Sequence, residues 1–164
     1  MTPIQACDEV VIPFSPELVW RVVSDFAAYP AWWPRKIRVR VLTFEPALIG
    51  TEFEISPPGA VPCCCRVAEV TAGQRIRMKY FGGIIEGEGK WRLEPAGTGT
   101  RVSYEMNVNA RGWLIAIISR FVSLAGIHSR QMQVVFANLA TRTAVIAATP
   151  LTETSTANHA SISR

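Results

Sequence analysis

Long hydrophobic runs, clustered charge and metal-ligand spacing are all missing from this chain of 164 residues. A helix needs ~18 uncharged apolar residues to cross a bilayer. The nearest stretch, residues 112–127, is interrupted by Arg120. The N-terminus has no basic segment leading into an apolar core, so no secretory signal is read and a cytoplasmic location is expected. The net charge is only +4, with basic residues dispersed. A nucleic-acid partner is therefore not expected. His128 and His159 lie far from Cys63-Cys64-Cys65 in the chain. Consecutive strand residues point to opposite faces, so three adjacent thiolates cannot converge on one ion. No metal site and no cofactor are expected. The cysteines, Cys7 included, read as buried or half-buried strand residues in a reducing compartment. No phosphate-cradling glycine loop and no nucleophile elbow occur.

What remains is apolar: 49% hydrophobic residues against 18% charged. That balance fits one compact domain, and a chain of this length buries enough surface to fold without metal or disulfide. Residues 6–14 suit a first strand. Ser15-Pro16-Glu17 then supplies an N-cap, a proline for the first helical position and an acid at the positive helix end. The helix is expected to stop before Pro30, in a proline-bracketed aromatic turn holding Trp32 and Trp33. From there to about residue 109 the period is two. Ile76, Met78 and Tyr80 alternate with Arg75, Arg77 and Lys79. Val102, Tyr104, Met106 and Val108 alternate with Arg101, Ser103, Glu105 and Asn107. Such alternation marks antiparallel strands with one dry and one wet face. A single long helix is read over residues 113–147, with Ile118, Phe121, Ala125, His128 and Met132 on its apolar side. Residues 1–149 form the domain; the Ser/Thr-rich residues 150–164 read as a flexible polar tail.

Segregated strands and helices indicate an α+β fold. The dry face of the sheet must be covered, and the last helix, about 50 Å long at 1.5 Å per residue, carries a matching stripe. A twisted sheet curling around a helix leaves space where the two surfaces diverge.

The pattern IPFSPELVWRVVSDFAAYPAWWP, then GKWRLEPAGTGTRVSYEM, then a long C-terminal helix resembles the START-like superfamily. Within it the chain is similar to the polyketide cyclase/dehydrase branch of the SRPBCC proteins. The resemblance spans about residues 5–147. It implies a helix-grip fold: a curved seven-stranded antiparallel sheet around the C-terminal helix, with a cavity between. It also implies an apolar small-molecule ligand of lipid or polyketide type, or a cyclisation or dehydration reaction.

His128 lies within the apolar stripe of the last helix and so faces the sheet, where an imidazole can exchange a proton with a ligand oxygen. Tyr104, inward by parity, is the second candidate acid/base. The expected ligand-contacting set takes Trp33 from the aromatic turn. From the strands it takes Phe53, Ile55, Met78, Tyr80, Trp91, Tyr104 and Met106. From the helix it takes Ile118, Phe121, Ala125, His128 and Met132. Arg66, Glu86 and Glu88 read as solvated surface. Gly87 and Gly89 share the parity of Trp91, where a missing side chain either makes space or lets the sheet bend. Three functions follow: binding of an apolar or aromatic small molecule, a cyclase or dehydratase using His128 or a tyrosine, or an interaction module that dimerises through the apolar residues 113–118.

Overall fold

The structure, a computed structural model, describes residues 2–59, 61–83, 85–112 and 123–149. Strand β1 (Thr2–Ile12) leads into helix α1 (Pro16–Val23), a single 3-10 turn (Phe26–Ala28) and the short helix α2 (Tyr29–Trp32). Six strands follow: β2 (Arg38–Thr43), β3 (Glu52–Ser56), β4 (Cys63–Thr71), β5 (Arg75–Phe81), β6 (Ile85–Ala96) and β7 (Gly99–Ala110). Helix α3 (Leu124–Ala148) closes the described chain. Among the described residues no helix is long and apolar enough to cross a membrane.

The seven strands form one open, curved antiparallel sheet in the order β1-β7-β6-β5-β4-β3-β2. Every neighbour except the β1–β7 pair is consecutive in sequence, as hairpins of an antiparallel meander require. Helix α3 lies over the inner face, against β1 and α1. Its buried side, Met132, Val135, Phe136 and Leu139, meets Trp91, Leu93 and Val102 in one continuous core. Fully burying side chains of this size contributes about 1.5–3 kcal/mol each. The outer face is wet and carries cross-strand ion pairs: Arg66 with Glu52, Arg77 with Glu69 and Glu88, Lys90 with Glu105, and Arg111 with Glu86. Exposed pairs of this kind contribute little each.

Four expectations are corrected. Strand β1 spans Thr2–Ile12 rather than residues 6–14, because its pairing with β7 extends to Thr2↔Ala110. Helix α1 stops before Pro30 as expected, but it ends at Val23 and leaves Phe26 to the separate 3-10 turn, while Pro30 sits in the first turn of α2. Proline lacks the N–H that a first helical turn leaves unpaired, so it starts a helix without loss. The third correction concerns the last helix. Ser123 is extended (φ −72°, ψ 105°) and its side chain accepts from the Gly126 N–H, so α3 begins at Leu124 and does not run through from residue 113. A serine hydroxyl that caps the backbone competes with helix continuation. At 25 residues the helix is about 37 Å long rather than 50 Å. Residues 113–122, with Ile118 and Phe121, and the tail residues 150–164 lie outside the described residues. Finally, Cys7 is exposed on the outer face of β1, while Cys63 and Cys65 are buried and Cys64 is half-buried.

Candidate functional site

Between α3 and the inner face of β3–β7 lies an apolar cavity of about 100 Å³. Its sheet side is formed by Ile55, Cys63, Tyr80, Ile85, Tyr104 and Met106. The helix contributes His128, Gln131, Met132 and Val135, and the α2–β3 side Trp33, Ile37 and Pro57. Larger, more open depressions lie elsewhere on the surface. One of about 490 Å³ is edged by Arg66, Lys79, Glu86 and Arg111, but it is open to solvent and lined by ion-paired side chains. The inner-face gap, whose walls are almost wholly apolar, is the candidate site.

Two polar constellations project into it. The hydroxyls of Tyr80 and Tyr104 are 2.5 Å apart and buried. Burial holds both phenols well above their ordinary pKa, so both stay protonated. Two hydroxyls carry two hydrogens, and one bond between them uses one. The pair therefore keeps one donor. Gly89 makes room for it, since a Cβ there would lie 2.3 Å from the Tyr104 oxygen. Space left by this glycine is thus filled by the tyrosine pair.

The second constellation is His128 with Asp8. Asp8 faces inward on β1, directly opposite Tyr104 on β7, and is 7% exposed. Its Oδ2 lies 3.5 Å from His128 Nδ1, and neither atom has another partner among the described residues. The imidazole stacks on the Tyr104 ring, centroids 5.7 Å apart and planes 27° inclined. Burial lowers the His128 pKa, partly offset by the neighbouring carboxylate. The ring is neutral near pH 7. A third polar atom, Trp33 Nε1, is buried without an acceptor among the described residues.

Of the expected ligand contacts, Trp33, Ile55, Tyr80, Tyr104, Met106, His128 and Met132 border the cavity. Phe53, Met78, Trp91 and Ala125 do not. Phe53 stacks on Phe26 at 5.6 Å, and Trp91 meets Phe136 edge-on at 6.2 Å. Phe53 is covered by the segment between α1 and β2 and Trp91 by α3, and parity does not report depth along the strand. Met78 is buried in the same core and Ala125 packs at its margin. Sequence reasoning misses Asp8. A signal for it exists: it shares parity with Ile4 and Ile12, both buried on β1.

The sequence profile described as polyketide cyclase / dehydrase and lipid transport matches residues 4–150. The chain belongs to that family. Solved structures agree on the fold. A protein from Thermus thermophilus superposes with a TM-score of 0.73 at 19% identity, covering 88% of this chain and 99% of that one. The Zhui aromatase/cyclase from a Streptomyces species gives 0.71 at 14% identity, covering 87% and 94%. A START superfamily protein from Mycobacterium smegmatis gives 0.64 at 16% identity, covering 87% and 98%. No curated protein sequence matches the chain.

Proposed function

We propose that the protein binds a small, largely apolar molecule of about one ring in the gap between the sheet and α3. The observation that carries this reading is the inner-face cavity of about 100 Å³, open on one side and with predominantly apolar walls. A dry apolar cavity of about 150 Å³ holds benzene, whereas drug-sized ligands occupy about 300 Å³ or more. The volume therefore favours a single ring over a lipid chain or an extended polyketide. Affinity comes from apolar area removed from water, less the cost of association.

Met106 borders the gap and is buried, so Met106→Trp fills it. Titration of toluene followed by calorimetry tests the reading. Saturable binding by the wild type, lost in Met106→Trp with the thermal melt retained, is expected. No saturable binding of toluene or of phenol, or binding undiminished by the tryptophan, overturns it.

A second reading, a cyclase or dehydratase with His128 as acid/base, is favoured by one feature: a neutral imidazole bordering the cavity, backed by a carboxylate. Undiminished turnover of a small β-hydroxy ketone by His128→Ala would remove His128 from that role. The interaction-module reading rests on residues 113–118, outside the described residues.

A further inference from the structure

A carboxylate buried on the inner face of a sheet is costly unless something there uses it. Asp8 is such a group. It is more than nine-tenths buried, its Oδ2 has no hydrogen-bond partner among the described residues, and the nearest polar atom is His128 Nδ1 at 3.5 Å. That separation is long for a hydrogen bond, a state that commonly tightens when a ligand arrives. The fold itself brings the two together: α3 lies over β1, and the β1–β7 register puts Asp8 opposite Tyr104, the ring on which His128 stacks.

Resting on the reading of the gap as a binding site, we propose that Asp8 is a positioning residue. It holds the imidazole with Nδ1 toward the carboxylate and Nε2 open to the cavity, which makes the cavity selective for a one-ring ligand bearing a hydroxyl, a phenol, over an apolar ring of equal size.

The argument is one of donors and acceptors. A carboxylate only accepts, so the imidazole nitrogen facing it carries the hydrogen and the other nitrogen presents a lone pair. Burial keeps the ring neutral, which preserves that lone pair. The Tyr80–Tyr104 pair holds one unspent hydroxyl hydrogen on the same cavity wall. A phenolic oxygen both donates and accepts, so it satisfies both constellations at once. A methyl group in its place covers the imidazole acceptor and the tyrosine donor without pairing them, the situation that discriminates most strongly against a ligand. Only the Asp8 orientation makes the histidine an acceptor; the opposite tautomer would present a second donor beside the tyrosines.

Phenol and toluene have the same number of heavy atoms and serve as the probes on the full chain. The wild type is expected to bind phenol about tenfold more tightly than toluene, the net scale of neutral hydrogen bonding. In Asp8→Asn the ratio of the two dissociation constants falls toward one, and because both ligands are measured on the same protein, a change in stability cancels. Nitrogen-15 NMR of His128 reads the tautomer directly. Nδ1 protonated and Nε2 bare is expected in the wild type, with the distribution shifting in Asp8→Asn. Equal binding of phenol and toluene, an Nε2–H tautomer in the wild type, or an unchanged ratio in Asp8→Asn overturns the inference while leaving the cavity reading intact. Failure of both probes to bind overturns the cavity reading and the inference with it. The wild-type ratio and tautomer decide the matter even where the variant does not fold.

Discussion

A Cβ placed on Gly89 would lie 2.3 Å from the hydroxyl oxygen of Tyr104, and 2.9 Å from Cε2 of Tyr80. The absence of a side chain at this one strand position is what lets the tyrosine pair lie down across β6. Gly89→Ala is expected to cost about 1–3 kcal/mol, the range for overpacking a filled interior. In a Tyr104→Phe background the same change costs less, since the clashing oxygen is gone. Urea unfolding of the two single variants and the double variant measures this; strict additivity would contradict the contact.

The tyrosine pair is its own test of buried polar accounting. Tyr80→Phe leaves the Tyr104 hydroxyl without its bond, and Tyr104→Phe does the converse. Each is expected to lose about 1–3 kcal/mol. Removing both hydroxyls leaves no orphan, so the double variant is expected to sit closer to the wild type than the two losses combined. A denaturant double-mutant cycle reads the coupling.

His128 links stability to acidity. Its folded pKa lies below the ordinary value of 6.5, chiefly because burial disfavours the charged ring. The unfolded chain therefore takes up the proton first. Its contribution is fully present above about pH 6.5 and is lost as the pH falls from there through the folded value. Melting temperatures of wild type and His128→Gln, compared from pH 8 to pH 5, should converge on the acidic side. A difference that grows toward low pH would mean that Asp8 outweighs burial.

The cysteines should separate by depth. Cys63 is buried, and burial together with Cys64 pushes its thiol up to about 11. Burial also raises Cys65. Thiolates are the reactive form. Iodoacetamide on the native protein near pH 7.5 is expected to label Cys7, which is exposed, well before Cys63 and Cys65, and all of them after unfolding. Peptide mass mapping gives the order, and early labelling of Cys65 would contradict the packing of β4.

Much of the architecture was legible because period-two alternation is a local property. Once alternation within each strand puts Tyr80, Trp91, Tyr104 and Met106 on the apolar side, the sheet has a dry face wherever the chain goes, and an amphipathic helix must cover it. The last helix was legible in its apolar stripe but not in its start. Ser123 breaks from helical backbone to cap α3, and an apolar run on either side hides a single capping serine.

What the sequence determined by itself was therefore the kind of surface each element presents: which residues face inward, which stay wet, and that one sheet and one helix must meet. Only the tertiary structure decided where those surfaces part. Trp91 and Met106 face the same side of the sheet, yet one is closed off by Phe136 and the other borders the gap. The pairing of Asp8 with His128 was also decided there, because it joins residues far apart in the chain through the β1–β7 register and the path of α3. Depth and partnership are distances between elements, and alternation along one element does not contain them.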